Sequence, residues 1–242
     1  MKLQLETIPV WDGIHSNTEC FMCDLMKAAE QQISKYYLGS SVMHPETRVA
    51  IHEVGFCHQH WNGLLAQGVS QALALIGHTY LQQLRRETER PLNAMIESGK
   101  PKATEKAVHI FDEILEHHEQ GCLICRDMQQ RLYRYADTVV ILWKEDDEFR
   151  KALSESKGMC LHHHRQVLSR AQKLLRPAPF VQFAADLAQV MELKLIRLED
   201  DVLWMTQKYK AEYADASWNE CEDAHKRVVQ MLTGDGRIPF ES

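Results

Sequence analysis

The chain has 242 residues, of which 45% are hydrophobic and 26% are charged, a balance typical of an ordinary soluble globular protein. The net charge of −6 and the pI of 6.1 argue against a broad nucleic-acid-binding surface, which is usually basic. With only 11 glycines and 7 prolines, and with helix-favouring residues abundant, the composition predicts an all-α helical bundle and not a turn-rich β fold.

The N-terminal stretch does not resemble a secretory signal. MKLQLETIPVWDG has no continuous apolar core and no small-residue cleavage site. No segment approaches the roughly 18 apolar residues that a transmembrane helix needs. We therefore expect a cytoplasmic protein that makes no membrane contact. In a reducing cytosol, cysteines at short, regular spacing are better interpreted as metal ligands than as disulfides.

The first half of the chain is predicted to consist of helices separated by glycine and proline. In chain order, the predicted elements are a short lead-in over 1–19 with the extended-type alternation of Leu3, Leu5 and Ile8, a helix from Cys20 to about Leu38, a short helix opened by Pro45 and broken by Gly55, a helix opened by Cys57, and an amphipathic helix over Val69–Glu89 that Pro91 interrupts.

The second half repeats much of this order after a linker-like segment at Ile96–Thr104. The predicted elements are helices over 105–118 and 122–143, a short helix ending near Ser154, a helix over 160–175, a rigid corner at Arg176–Pro179, a long helix over 180–213, and a final helix that starts at a capping box of Ser217 and Glu220 and ends at Gly234.

One cysteine pattern occurs twice and accounts for six of the seven cysteines. Each copy has a Cys-x2-Cys pair followed later by Gly-x-Cys-x2-His. Cys122 lies 102 positions after Cys20, and Cys160 lies 103 positions after Cys57. The matched offsets predict an internal duplication, with a first module over 1–98 and a second over 99–242 that pack as one unit. The proposed ligands are Cys20, Cys23, Cys57 and His60 in the first copy and Cys122, Cys125, Cys160 and His163 in the second.

These residue types at these spacings point to a tetrahedral metal site. A Cys-x2-Cys turn brings two sulfurs to one side of a bend, and residues three apart in the first turn of a helix share a face. A Cys3His set is the usual choice of structural zinc, so we expect two Zn²⁺ ions per chain. An iron–sulfur cluster is the alternative. We assume that the ligands pair within each copy, but crossed pairing between the copies is topologically allowed.

Other candidate residues carry weaker signals. His58, His162 and His164 adjoin the chosen histidines and are expected to face water or to support the sites. His117 and His118 are candidates for a supporting role or for solvated surface. Cys221 and His225 lack a second ligand pair, so Cys221 is interpreted as a free cysteine on a helix.

Several stretches resemble a bacterial family known only as a domain of unknown function, which occurs largely in anaerobic Gram-positive bacteria. The resemblance spans nearly the whole chain and carries no assigned activity, so it supplies no catalytic residue to carry over. The segments that support it are IPVWD, CFMC, LGSSVMHPETR, GFCHQH, CLIC, LWKEDDEFR and SKGMCLHHH.

The sequence contains no phosphate-binding loop, HExxH or GxSxG motif, so no catalytic residue is proposed. The first hypothesis is a zinc-stabilised helical scaffold that binds an unidentified protein partner or regulates one, with homo-oligomerisation possible. The alternative is a thiol/zinc redox sensor. An iron–sulfur protein and a metal-dependent enzyme rank lower, and the acidic charge makes nucleic acid an unfavourable partner.

Overall fold

The structure, a computed structural model, describes residues 5–235, and every regular element in that range is helical. The predicted all-α fold is therefore confirmed. The α-helices are, in order, α1 (Thr7–His15), α2 (Phe21–Leu38), α3 (Pro45–Val54), α4 (His58–Ala66), α5 (Ser70–Glu97), α6 (Pro101–Gln120), α7 (Leu123–Glu145), α8 (Asp147–Glu155), α9 (Leu161–Leu174), α10 (Pro177–Lys208) and α11 (Ala224–Thr233), with short 3₁₀ helices at Ser40–Met43 and Ala211–Tyr213.

The chain divides into two units whose bounds differ from those of the two predicted modules. Unit 1 comprises Met1–Ala29 and Gln129–Ser242, and unit 2 comprises Glu30–Met128. The boundary that we predicted at residues 98 and 99 falls inside unit 2. The reason is that α5 and α6, which flank it, pack against each other as a helical hairpin joined by three residues.

Unit 1 is built around α10, which contacts α8, α9 and α11. Phe183, Leu187 and Val190 project from one face of α10 and are buried. Phe149 of α8 is fully buried and packs edge-on against Trp11 of α1, so the N-terminal helix is held by an aromatic contact. The start of α8 is fixed by Asp146, whose carboxylate accepts the backbone N–H groups of residues 148 and 149.

Unit 2 centres on the α5–α6 hairpin, against which α3 packs. Tyr80 of α5 donates to or accepts from His118 Nδ1 at 2.7 Å, and His118 Nε2 lies 2.7 Å from the carboxylate of Glu87. This chain of hydrogen bonds joins the two helices. His118, one of the two histidines before Cys122, therefore has a structural role in connecting α5 and α6, which sequence reasoning could not specify.

Most predicted helix boundaries agree with the structure to within a few residues, but three details were wrong. The lead-in contains helix α1 where an extended segment was expected, and Leu3 lies outside the described residues. Helix α5 continues through Pro91. Burial of the proline ring offsets the free-energy cost of the backbone hydrogen bond that proline cannot donate. The last helix begins at Ala224, because Ser217 instead accepts the N–H of Asn219 in a turn.

Two candidate metal centres

The eight predicted ligands lie in two groups of four. Site A consists of Cys20, Cys23, Cys160 and His163, and site B consists of Cys57, His60, Cys122 and Cys125. Within each group all ligand atoms lie within 4.8 Å of one another. Site A belongs entirely to unit 1 and site B entirely to unit 2.

Our assumption that ligands pair within each sequence copy was wrong, because each site combines the Cys-x2-Cys of one copy with the Gly-x-Cys-x2-His of the other. Helix lengths explain the crossing. The 18 residues of α2 carry the chain roughly 27 Å along the helix axis after the first Cys-x2-Cys, and the 10 residues of α3 span only about 15 Å. The same holds for α7 and α8, which have 23 and 9 residues.

The two Gly-x-Cys corners have nearly the same backbone conformation. Gly55 has φ of +70° and Gly158 has φ of +72°, a region that glycine enters without a Cβ penalty. Cys57 and Cys160 follow in extended conformation, both with φ of −70°, as the residues that precede α4 and α9. The histidine three positions later lies one helical turn on, so its ring returns to the same side as the cysteine.

The distances between ligand atoms fit a tetrahedral ion. Zinc about 2.3 Å from each sulfur and 2.0–2.1 Å from a nitrogen requires S···S separations of about 3.8 Å and S···N separations of about 3.5 Å. In site A, the His163 Nδ1 atom lies 3.5, 3.5 and 3.3 Å from the sulfurs of Cys20, Cys23 and Cys160. In site B, the His60 Nδ1 atom lies 3.2, 3.2 and 3.3 Å from the sulfurs of Cys57, Cys122 and Cys125.

The electrostatics of the clusters also favour a cation. Hydrogen bonds from Cys125 and His60 lower the pKa of Cys122 to about 3 despite its burial, whereas the neighbouring Cys122 raises the pKa of Cys125. Burial lowers the pKa of His60, but Cys122 and Glu30 outweigh burial and raise that pKa to about 10. The raised pKa values of Cys125 and His60 mean that protons are held in this cluster in the absence of a metal. A divalent ion would take the place of those protons and neutralise the thiolates, since three adjacent thiolates repel one another.

In site A, too, neighbouring ligands shift each other's pKa values in opposite directions. Hydrogen bonds from Cys20 and Cys23 lower the pKa of Cys160, and the reciprocal bond raises the pKa of Cys23. Burial lowers the pKa of His163, but Cys160 and Cys20 outweigh it and raise the pKa to about 9. The donor set of each site thus fits a thiolate-binding divalent ion.

The two sites differ in what surrounds them. All four site A ligands are buried, whereas Cys57 and Cys125 of site B are partly exposed. In site B the second ring nitrogen of His60, Nε2, lies 3.3 Å from the carboxylate of Glu30, an outer contact that fixes the ring so that Nδ1 faces the sulfurs. Glu30 was not predicted, because a glutamate 30 residues from its histidine leaves no spacing signal.

Lys194 is a further residue that sequence reasoning missed. It projects from the middle of α10, is 4% exposed, and its ammonium group donates to the backbone carbonyl of Glu19, the residue before Cys20. Burial lowers the pKa of Lys194, while the nearby Cys20 and Glu19 side chains favour its charged form. Three thiolates and a divalent ion carry a net charge of −1, so an ammonium group here partly neutralises a buried anionic centre.

Lys194→Met should therefore weaken metal retention at site A by about tenfold, a usual loss when an outer-shell partner is removed. Competition with a chromogenic chelator would measure it. Lys208→Met is the matched control, because Lys208 is also buried on α10 but donates to the carbonyls of Tyr213 and Ala214. Equal zinc retention in both variants would contradict a role for Lys194 at the site.

The remaining histidine and cysteine predictions have mixed outcomes. His58 is exposed and bonds to Asn62, as expected for a residue outside the sites. His162 is buried, and its ring packs 5.1 Å from the ring of His163, so it supports site A. Cys221 is a free cysteine but precedes α11 and does not lie on a helix; its sulfur is 3.6 Å from the carboxylate of Asp201.

The fold and the two ligand groups define an all-α protein with two Cys3His clusters that could each hold a metal ion. The chain belongs to a family of unknown function, DUF6062, whose model matches residues 1–238. No curated protein and no solved structure matches the chain. Among the helices of residues 5–235, none combines the length and apolar character required to cross a membrane.

Proposed function

We propose that this protein binds two zinc ions, one in each Cys3His cluster, and serves as a structural scaffold for a protein partner or regulator. The observation that carries the proposal is the agreement of the interatomic distances in both clusters with a tetrahedral ion. Four protein ligands fill a tetrahedron and leave no position for substrate, which is the arrangement of structural and not catalytic zinc.

The ligand spacing favours one ion per site over a multi-iron cluster. Two sulfurs bound to a single ion can be no more than about 4.6 Å apart, twice the bond length. The sulfur pairs Cys23–Cys160 and Cys57–Cys125 meet that limit, at 3.8 and 3.9 Å, and the ligand atoms of each site all lie within 4.8 Å of one another. Thiolate-rich tetrahedral sites select zinc among the common divalent ions, so the iron–sulfur alternative ranks second for the metal.

An exposed apolar face on α10 supports a partner-binding role. Leu193, Ile196 and Leu203 are each more than half exposed and lie on one side of the helix. Exposed apolar side chains in a row are typical of interaction surfaces. A second copy of the chain is among the partners to be tested, whereas the acidic net charge continues to disfavour nucleic acid.

A thiol/zinc redox sensor is the second candidate function, because three of the four ligands in each site are thiolates that oxidation would remove. A cytoplasmic location is part of the proposal, since such sites require reduced cysteines.

Elemental analysis of anaerobically purified protein tests the proposal. We expect about two zinc ions per chain and no visible absorbance. Chelation should reduce the far-ultraviolet helical signal, and a partner that depends on the scaffold should bind the zinc-loaded chain and not the metal-free chain. Iron with a broad brown absorbance, or no metal at all, would contradict zinc as the resident ion.

A further inference from the structure

One pair of sulfurs can be compared directly between the two sites. The second cysteine of Cys-x2-Cys lies beside the cysteine of Gly-x-Cys-x2-His in both, and the separations are almost equal. The Sγ atoms of Cys23 and Cys160 are 3.8 Å apart in site A, and those of Cys57 and Cys125 are 3.9 Å apart in site B. Any difference in the reactivity of these pairs therefore depends on their surroundings and not on their spacing.

The pair in site A is shielded from solvent. Both sulfur-bearing residues are 0% exposed. The segment Gly234–Asp235, which follows α11, covers them: the backbone N–H of Asp235 donates to Cys23 Sγ at 3.2 Å, and a side chain at Gly234 would begin 3.2 Å from Cys160 Sγ. The ion pair between Lys27 and Asp235, at 2.8 Å, holds this segment in place.

The pair in site B is partly open. Cys57 and Cys125 are the two ligands of that site with intermediate exposure, while Cys122 and His60 are buried. Cys122 is also the sulfur that accepts a backbone N–H, from Cys125 at 3.4 Å, a contact that lowers the nucleophilicity of a thiolate. A small oxidant would thus meet two adjacent, partly exposed cysteines in site B and none in site A.

From this contrast we propose that Cys57 and Cys125 form a hydroperoxide-sensitive zinc switch, and that site A is a protected structural site. This inference rests on zinc occupying both clusters as proposed above. One thiolate attacks the peroxide: an S–O bond forms, the O–O bond breaks, and hydroxide leaves. The second thiolate attacks the resulting sulfenic acid, so an S–S bond forms, the S–O bond breaks and a second hydroxide leaves.

The two thiolates together lose two electrons, which the peroxide accepts. Zinc in site B is left with two of its four ligands, Cys122 and His60, and dissociates. The disulfide joins the beginning of α4 to the first turn of α7. These two segments of unit 2 therefore stay cross-linked after zinc is lost, by a disulfide bond in place of the four metal ligands.

The test exposes zinc-loaded Cys221→Ser protein to hydrogen peroxide, with a chromogenic chelator to count released zinc and peptide mass spectrometry to locate disulfides. The substitution removes the one cysteine outside the sites. We expect release of one of the two zinc ions, a Cys57–Cys125 disulfide in equal amount, and recovery after reduction with added zinc. Release of neither ion, release of both at one rate, or a disulfide within site A would overturn the inference while leaving the zinc proposal intact.

Fewer than two zinc ions before peroxide is added would instead overturn the proposed function, and the switch with it. Gly234→Ala provides the complementary variant. Its φ of +70° and the 3.2 Å contact with Cys160 Sγ mean that a methyl group displaces the covering segment. We expect peroxide then to release zinc from site A as well; continued protection of site A would show that burial by this segment does not govern the reaction.

Discussion

The Cys20→Ser variant is expected to bind one zinc ion instead of two and to lose on the order of 5 kcal/mol in free energy of unfolding. Cys20 is 0% exposed, and its sulfur lies 3.5 Å from His163 Nδ1. A serine hydroxyl is a weak zinc ligand, so the substitution leaves three buried ligands without their ion. Zinc content and urea unfolding monitored by circular dichroism would measure the two effects.

The same variant discriminates crossed from within-copy pairing. Loss of zinc from site A should make Cys23 and Cys160 more reactive toward an alkylating reagent than in the wild-type chain, because both lose the metal that occupies their lone pairs and the site loses the ion that holds its buried segments together. Cys57 should alkylate at the wild-type rate, since its ion is held by site B. Faster alkylation of Cys57 with unchanged Cys160 would contradict the crossed pairing. Cys221→Ser is the control, as it removes a buried cysteine that belongs to neither site.

The residues of the two clusters could be predicted from the sequence because their grouping in pairs follows from local geometry. Cys-x2-Cys and Cys-x2-His each place two ligand atoms on one side of a turn, and that property needs no tertiary information. The repeated offset then selected His60 and His163 among several adjacent histidines, and both are the histidines whose rings contact the sulfurs. The helices were predictable for a similar reason, because apolar residues at helical spacing are a local signal.

Which Cys-x2-Cys pair meets which Gly-x-Cys-x2-His segment is not determined by local geometry and could not be predicted in this way. It depends on how far each helix carries the chain before the chain turns, and the sequence copies alone favour neither solution. The predicted lengths of α2 and α3 imply that α3 is too short to bring the chain back along α2 to the first Cys-x2-Cys pair. We overlooked this consequence of the helix lengths because we treated the two copies as independent modules.

The surroundings of the sites were also beyond sequence reasoning. Glu30 contacts the ring of His60, Lys194 donates to the carbonyl beside Cys20, and the backbone N–H of Asp235 donates to Cys23, and each of these contacts joins residues far apart in the chain. Isolated charged residues are normally solvated, so no spacing distinguishes these from their neighbours. These outer contacts nevertheless distinguish the two sites, which have the same ligand types.

Gly55→Ala is expected to destabilise the protein by about 2–6 kcal/mol, through two separate costs. Gly55 has φ of +70° and ψ of −155°, a conformation that is essentially restricted to glycine, and an alanine there costs roughly 1–3 kcal/mol. A Cβ atom there would also lie 2.8 Å from Tyr80 Oη and 3.0 Å from a ring carbon of the same residue, so the ring must move at an overpacking cost of about 1–3 kcal/mol.

Gly68→Ala separates the two costs, because Gly68 has φ of +72° but no atom within 4 Å of the position that a Cβ atom would take. It should lose only the conformational part, about 1–3 kcal/mol, in urea unfolding of the zinc-loaded protein. The Gly55 substitution should also weaken zinc binding at site B, since the Gly55 carbonyl accepts the N–H of Leu123 at 3.0 Å and so connects the two ligand-bearing segments. Equal losses in the two variants would show that Tyr80 accommodates the added methyl group without cost, and an unchanged zinc affinity of site B would show that the Gly55 corner does not position the ligands.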